Sequence, residues 1–149
     1  VFRNDIDGLA KAIAESPEGI DERDQDLRTP LMHAAIDSNE SAAQVLIQGG
    51  AAVNATDKMG FSALSYASQS YSPNIVAMLL SNGAKVDNVD EHGNTPLFRA
   101  VFNSKGRPEV IRLLLEAGAD KNLKNKHGVS PYELAGSIAN FDINIFFKE

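Results

Sequence analysis

A chain of 149 residues with 43% hydrophobic content holds enough apolar material for one ordinary domain. It has no cysteine, which removes disulfides and thiolate metal sites from consideration, and its formal charge of −6 repels a phosphate backbone and argues against a nucleic-acid partner. No apolar run approaches the roughly 18 residues of a membrane helix, so no membrane partner is expected.

The chain opens on Val1 rather than Met, which implies that an upstream segment has been cut or processed away. Residues 1–23 read as an incomplete unit, an assignment that rests on the repeat that follows. Val1 to Asp5 fit the tail of a truncated first helix, Asp7 to Ile13 fit a second helix, and Gly19-Ile-Asp21 fits its closing turn.

The stretch Leu27-Arg-Thr-Pro-Leu-Met-His-Ala-Ala35 then begins a pattern. It recurs as Gly60-Phe-Ser-Ala-Leu-Ser-Tyr-Ala-Ser68 and Gly93-Asn-Thr-Pro-Leu-Phe-Arg-Ala-Val101, and more weakly as Gly128-Val-Ser-Pro-Tyr-Glu-Leu-Ala-Gly136. Thr29, Ser62, Thr95 and Ser130 are spaced by 33, 33 and 35 residues, and Gly50, Gly83 and Gly118 by 33 and 35. The two extra residues therefore lie between these landmarks, near Ser104-Lys-Gly-Arg107.

Within each unit, the Thr or Ser hydroxyl caps a helix, and Pro30, Pro96 and Pro131 follow at the first helical position, where a missing N–H costs nothing. Small residues Ala34, Ala67 and Ala100 allow the next unit to approach closely. Ile75, Val76, Leu79 and Leu80 form the apolar stripe of a second helix. Gly50, Gly83 and Gly118 end those second helices in the left-handed conformation. Asp57, Asp90 and Asn125, each with a glycine three residues on, read as the tight turns of projecting hairpins. Val129 to Glu149 close the chain as a last helix pair, with Ile143, Phe146 and Phe147 packed inward.

This unit resembles the ankyrin repeat, with its Asp-x-x-Gly-x-Thr-Pro-Leu-His-x-Ala signature, over nearly the whole chain. One departure is consistent: Met32, Ser65 and Phe98 stand where the family most often has His after the Leu. The resemblance implies an all-α solenoid of helix-turn-helix units with projecting β-hairpin-like turns. Residues 1–149 form one such domain, with an N-terminal cap at 1–23, full repeats at 24–56, 57–89 and 90–124, and a C-terminal cap at 125–149. It is expected to be a monomer when unbound.

Chemistry finds little support in the residues. His92 and His127 occupy equivalent turn positions, but zinc needs three or four converging ligands and no other His or Cys joins them. Ser65 and His33 lack a nucleophile elbow and an orienting third group. No enzyme, no metal and no cofactor are expected.

By the resemblance, ankyrin domains bind through hairpin tips and the exposed side of the first helices, which line a concave groove. Met59 and Phe61 at one tip, with Ile36 and Phe102 at the ends of first helices, then form an apolar anchor cluster. Asp26, Arg28, Asp37, Glu91 and Arg99 ring it, with His92 at the third tip and Tyr66 beside Phe61. Two finer readings stay open. Ser137 to Phe147 looks like the ending of small bacterial ankyrin proteins found beside secreted toxins, which implies an immunity protein that neutralises a toxin domain. A scaffold or regulatory module excised from a larger protein is the other. The expected compartment is the cytoplasm, or the periplasm if a signal peptide preceded Val1.

Overall fold

The computed structural model describes residues 6–138. The expected tail of a first helix in Val1 to Asp5, and the packing of Ile143, Phe146 and Phe147, lie outside the described residues. Eight α-helices follow one another: α1 Ile6–Glu15, α2 Pro30–Ile36, α3 Glu40–Gln48, α4 Ala63–Gln69, α5 Pro73–Ser81, α6 Pro96–Asn103, α7 Glu109–Glu116 and α8 Pro131–Ser137. A short 3-10 turn, Pro17–Gly19, follows α1. The even-numbered helices are first helices, and each packs on the next: α2 on α4, α4 on α6, α6 on α8. The odd-numbered helices stack in a second row, α1 on α3, α3 on α5, α5 on α7.

The caps do what their chemistry dictates. Side-chain oxygens of Thr29, Ser62, Thr95 and Ser130 accept hydrogen bonds from the amides of Met32, Ser65, Phe98 and Glu133. In α4 and α8 the third residue answers, because Ser65 and Glu133 side chains accept the amides of Ser62 and Ser130. Gly50, Gly83 and Gly118 have φ of +93°, +88° and +95°, so the second helices end in the left-handed turn read from their sequence. The two extra residues are taken up across α6 and the turn behind it: α6 has eight residues against seven in α2 and α4, five residues instead of three separate it from the next helix, and α7 is one residue shorter than α3 and α5. In that turn Lys105 and Gly106 both take positive φ.

The core runs continuously through the stack, from Leu31, Met32 and Leu46 through Leu64, Ile75 and Leu79 to Leu97, Ile111 and Leu114. No unit could bury this surface alone, and neighbours supply the cover. One buried group breaks the apolar pattern. Ser68 is 0% exposed and its Oγ has no hydrogen-bond partner, although the equivalent positions hold Ala35 and Val101. Ser68→Ala is expected to stabilise the fold by about 1 kcal/mol, since an unpaired buried hydroxyl carries its desolvation cost uncompensated. A urea midpoint that rises with an unchanged slope checks this; an unchanged midpoint sinks it.

The turns between units differ from the expected hairpins. Among the described residues no β-strand is formed; one isolated antiparallel bridge joins Thr56 and Ser62. Each turn is closed by a backbone bond from its Asp or Asn amide to the carbonyl four residues on, and one side chain gathers the amides between. Oδ1 of Asp57 accepts the amides of Met59 and Phe61, Asp90 those of His92 and Asn94, and Asn125 those of His127 and Val129. Asp24 does the same for Asp26 and Arg28. It escapes the motif because Leu27, at φ +63°, stands where the later turns have Gly60, Gly93 and Gly128.

Two lines of hydrogen bonds lace the units together. Along the tips, the amides of Lys58, Glu91 and Lys126 donate to the carbonyls of Asp26, Met59 and His92, at 3.0, 2.8 and 3.0 Å. Earlier in the same connecting loops, just after the second helices end, Asp21 accepts the amide of Ala52, Asn54 that of Lys85, and Asp87 that of Asp120. Partial burial pushes the Asp87 carboxyl above its ordinary pKa, against the opposing pull of the Asp120 amide.

Candidate partner-binding surface

The free oxygen of each turn carboxylate points at the residue nine positions on, in the following first helix. Asp24 Oδ2 lies 2.7 Å from His33 Nε2, Asp57 Oδ2 accepts the hydroxyl of Tyr66, and Asp90 Oδ2 lies 2.6 Å from Arg99. One oxygen holds the turn and the other ties it to the helix. The Arg28 amide and His33 together hold the Asp24 carboxyl below the usual carboxylate range. Burial, with the Asp57 carboxylate beside it, pushes Tyr66 up to about 12, so this hydroxyl remains a donor throughout the neutral range.

Around these ties the rings and guanidinium groups stack. The Arg28 guanidinium sits over Tyr66 at 5.6 Å, Tyr66 meets Phe61 at 4.9 Å between centroids, and Arg99 lies over the other partner, Phe61, at 4.8 Å. Arg28 also donates to the Tyr66 hydroxyl at 3.2 Å, which raises the affinity of its guanidinium for its proton. Each cation is matched, Arg99 by Asp90 and Arg28 by Asp26 and Asp57. The result is an inward-facing stack of four side chains spanning three repeats.

Phe61 therefore does not project from its tip. It is 6% exposed, because the Asp57 carboxylate draws its amide into the turn and the ring folds onto Tyr66, itself 5% exposed. Met59 and Ile36 are half-buried and pack against the core. Arg28 and Arg99 turn inward to the stack rather than forming an outer rim.

The remaining positions face solvent. Asp26, Asp37, Glu91 and His92 are exposed. Phe102 is 66% exposed at the end of α6, in the register of Ile36 and Gln69. In the longer turn that follows α6, the Arg107 guanidinium covers the Tyr71 ring at 4.2 Å, and the Tyr71 hydroxyl donates to the Arg107 carbonyl, which fixes that turn. Among the described residues, no group of three or more His, Cys, Asp or Glu is placed to hold a metal, and no helix is long and apolar enough to cross a membrane.

Comparison with known proteins agrees with this architecture. The family model for ankyrin repeats in three copies matches residues 1–90 and again 74–125. The chain is 34% identical over 114 residues to the B-cell lymphoma 3 protein homolog of Mus musculus, covering 75% of this chain and 25% of that protein. It is 32% identical over 108 residues to inversin of Gallus gallus, covering 72% and 10%. With an intracellular phospholipase A2 of Caenorhabditis elegans it shares 27% over 144 residues, covering 91% and 13%. It thus spans a quarter or less of the length of these relatives. With capped helix pairs at a 33-residue period, turns gathered by Asp or Asn, and a family match over most of its length, the chain belongs to the ankyrin-repeat family and is a protein-interaction module.

Proposed function

We propose that this array recognises a partner protein across its turn tips and the ends of its first helices, with Phe102 as the aromatic anchor and Asp26, Asp37, Glu91 and His92 as a polar rim. The observation that carries the reading is the exposure of Phe102, a large aromatic side chain that the stack does not need and the fold leaves in water. Met59 and Ile36 flank the surface with part of their area. Phe61, Tyr66, Arg28 and Arg99 serve it from beneath by fixing the turns.

A regulatory or scaffolding module within a longer protein is the finer reading we favour, because the chain matches only a small part of its relatives. Neutralisation of a toxin rests on the resemblance of Ser137 to Phe147, a segment of which Ser137 and Ile138 alone are described. A toxin gene beside the reading frame, or a long multidomain frame around it, separates the two.

The test starts with affinity capture from the source cell and mass spectrometry, followed by titration of the captured partner. Phe102→Ala should weaken binding by about tenfold or more, since burying a Phe contributes about 1.5–3 kcal/mol, while leaving the thermal midpoint unchanged. Undiminished affinity would remove Phe102 from the interface.

A further inference from the structure

The second helices α3, α5 and α7 close on different pairs of residues: Gly49-Gly50, Asn82-Gly83 and Ala117-Gly118. Asn82 is the one asparagine of the chain that precedes a glycine. Its helix also ends more loosely than the other two. Asn82 sits at φ −112° and ψ 25°, whereas Gly49 and Ala117 keep φ of −79° and −82° with ψ of −1° and 0°. The Gly83 amide reaches the Leu80 carbonyl at 3.3 Å, against 3.0 Å for the matching bonds of Gly50 and Gly118. Asn82 and Gly83 are both exposed, and nothing lies within 4 Å of the place a Cβ on Gly83 would take.

That pairing has a chemistry of its own. The side-chain carbon of an asparagine is placed to close a five-membered ring with the amide nitrogen of the next residue, and a side chain on that residue crowds the approach. Gly83 has none.

We propose that Asn82 is a site of spontaneous modification, converting to isoaspartate and aspartate in the folded protein. The Gly83 nitrogen attacks Asn82 Cγ; the N–Cγ bond forms, the Cγ–Nδ2 bond breaks, and the proton of the Gly83 amide ends on the departing ammonia. Water then opens the cyclic imide. Opening at the main-chain carbonyl leaves isoaspartate, and opening at Cγ leaves aspartate.

The consequence falls on the lacing between the unit of α3 and the unit of α5. Asn54 Nδ2 donates to the Gly83 carbonyl at 2.9 Å, and Asn54 Oδ1 accepts the Lys85 amide at 2.8 Å. Isoaspartate routes the main chain through Cβ and Cγ, one atom longer, and so displaces the Gly83 carbonyl from Asn54. Either product also removes the Asn82 bond to the Met78 carbonyl and sets a carboxylate at the negative end of the α5 dipole. Conversion thus slackens one joint of the array. This goes beyond the partner-binding reading and does not depend on it.

The experiment incubates the protein at mildly alkaline pH, folded and in parallel unfolded in urea, and maps its peptides by mass spectrometry. Methyl transfer by an isoaspartyl methyltransferase separates isoaspartate from aspartate. In the folded protein Asn82 should convert about tenfold or more faster than any other asparagine, and at no less than about a tenth of its rate in urea. Hydrogen exchange on the incubated protein should show the Lys85 amide losing protection by about fivefold or more, with the Phe98 amide unchanged. Asn82→Gln should show neither effect. A folded-state rate more than about tenfold below that in urea would mean that the helix ending withholds Asn82, and would overturn the site. Conversion no faster than at the other asparagines would do the same. Undisturbed Lys85 protection in converted protein would overturn the slackening. Asn82→Asp adds the charge without the extra main-chain atom and should keep Lys85 protection within about twofold. A loss there equal to that of the incubated protein would assign the effect to charge and refute the displacement of Gly83.

Discussion

Phe61→Ala is expected to destabilise the protein by about 3–4 kcal/mol, a large fraction of the stability of a domain of this size. Removing the ring takes away a buried aromatic and leaves a void between Tyr66 and the Arg99 guanidinium. The same void strips the apolar surface from a cation whose remaining partner is Asp90. Phe61→Leu retains much of the volume and loses the stacking, so it should cost about 1–1.5 kcal/mol. Denaturant titration of both variants measures the ladder of effects. Stability close to wild type in Phe61→Ala, combined with lost partner binding, would return this residue to the interface and refute the stacked arrangement.

Gly93→Ala should be comparably severe, at about 3 kcal/mol, whereas the equivalent Gly128→Ala should cost only about 1 kcal/mol. Both glycines have positive φ, at +76° and +78°, so both substitutions incur the left-handed penalty of about 1–2 kcal/mol for a residue with a Cβ. The difference lies in what the methyl group meets. At Gly93 it would stand 2.9 Å from the Lys126 amide nitrogen and 3.2 Å from the Asn125 Cα, backbone atoms of the next turn that cannot swing aside. At Gly128 nothing lies within 4 Å. The clash also falls on the tip line, since the Lys126 amide is the donor to the His92 carbonyl. Equal losses at the two positions would mean that conformation alone, and not the close approach of successive turns, demands glycine there. Leu27, at φ +63° in the first turn, is a natural example of the milder penalty.

The repeat, the caps and the helix endings were legible because each is local. Thr95 needs only the amide three residues on, and Gly83 only its own φ. The longer turn at Ser104 to Arg107 was legible for the same reason, as a two-residue offset between two periodic landmarks. What escaped depends on neighbours that periodicity does not name. Phe61, Arg28 and Arg99 read as tip and groove residues, since nothing in a 33-residue pattern states that a turn carboxylate will reach nine positions ahead or that an arginine will cross to a ring of the adjacent unit. Tyr66 and Arg99 do stand in the register of His33, three polar groups at one position of successive first helices, and that coincidence was the available signal. Phe102 was legible as exposed because its counterpart Gln69 is polar, while Ile36, at the same register, is half-buried.

The double lacing of the units, at the tips and where the second helices end, bears on how recognition proceeds. A single line of bonds would let neighbouring repeats swing about it; a second line, set apart from the first, removes that freedom. The entropy of aligning Asp26, Glu91 and Phe102 is then lost when the chain folds, not when the partner arrives. Encounter becomes the meeting of a preformed surface, with a rate governed by charge and orientation, and differences among surface variants should reside chiefly in how long the complex lasts.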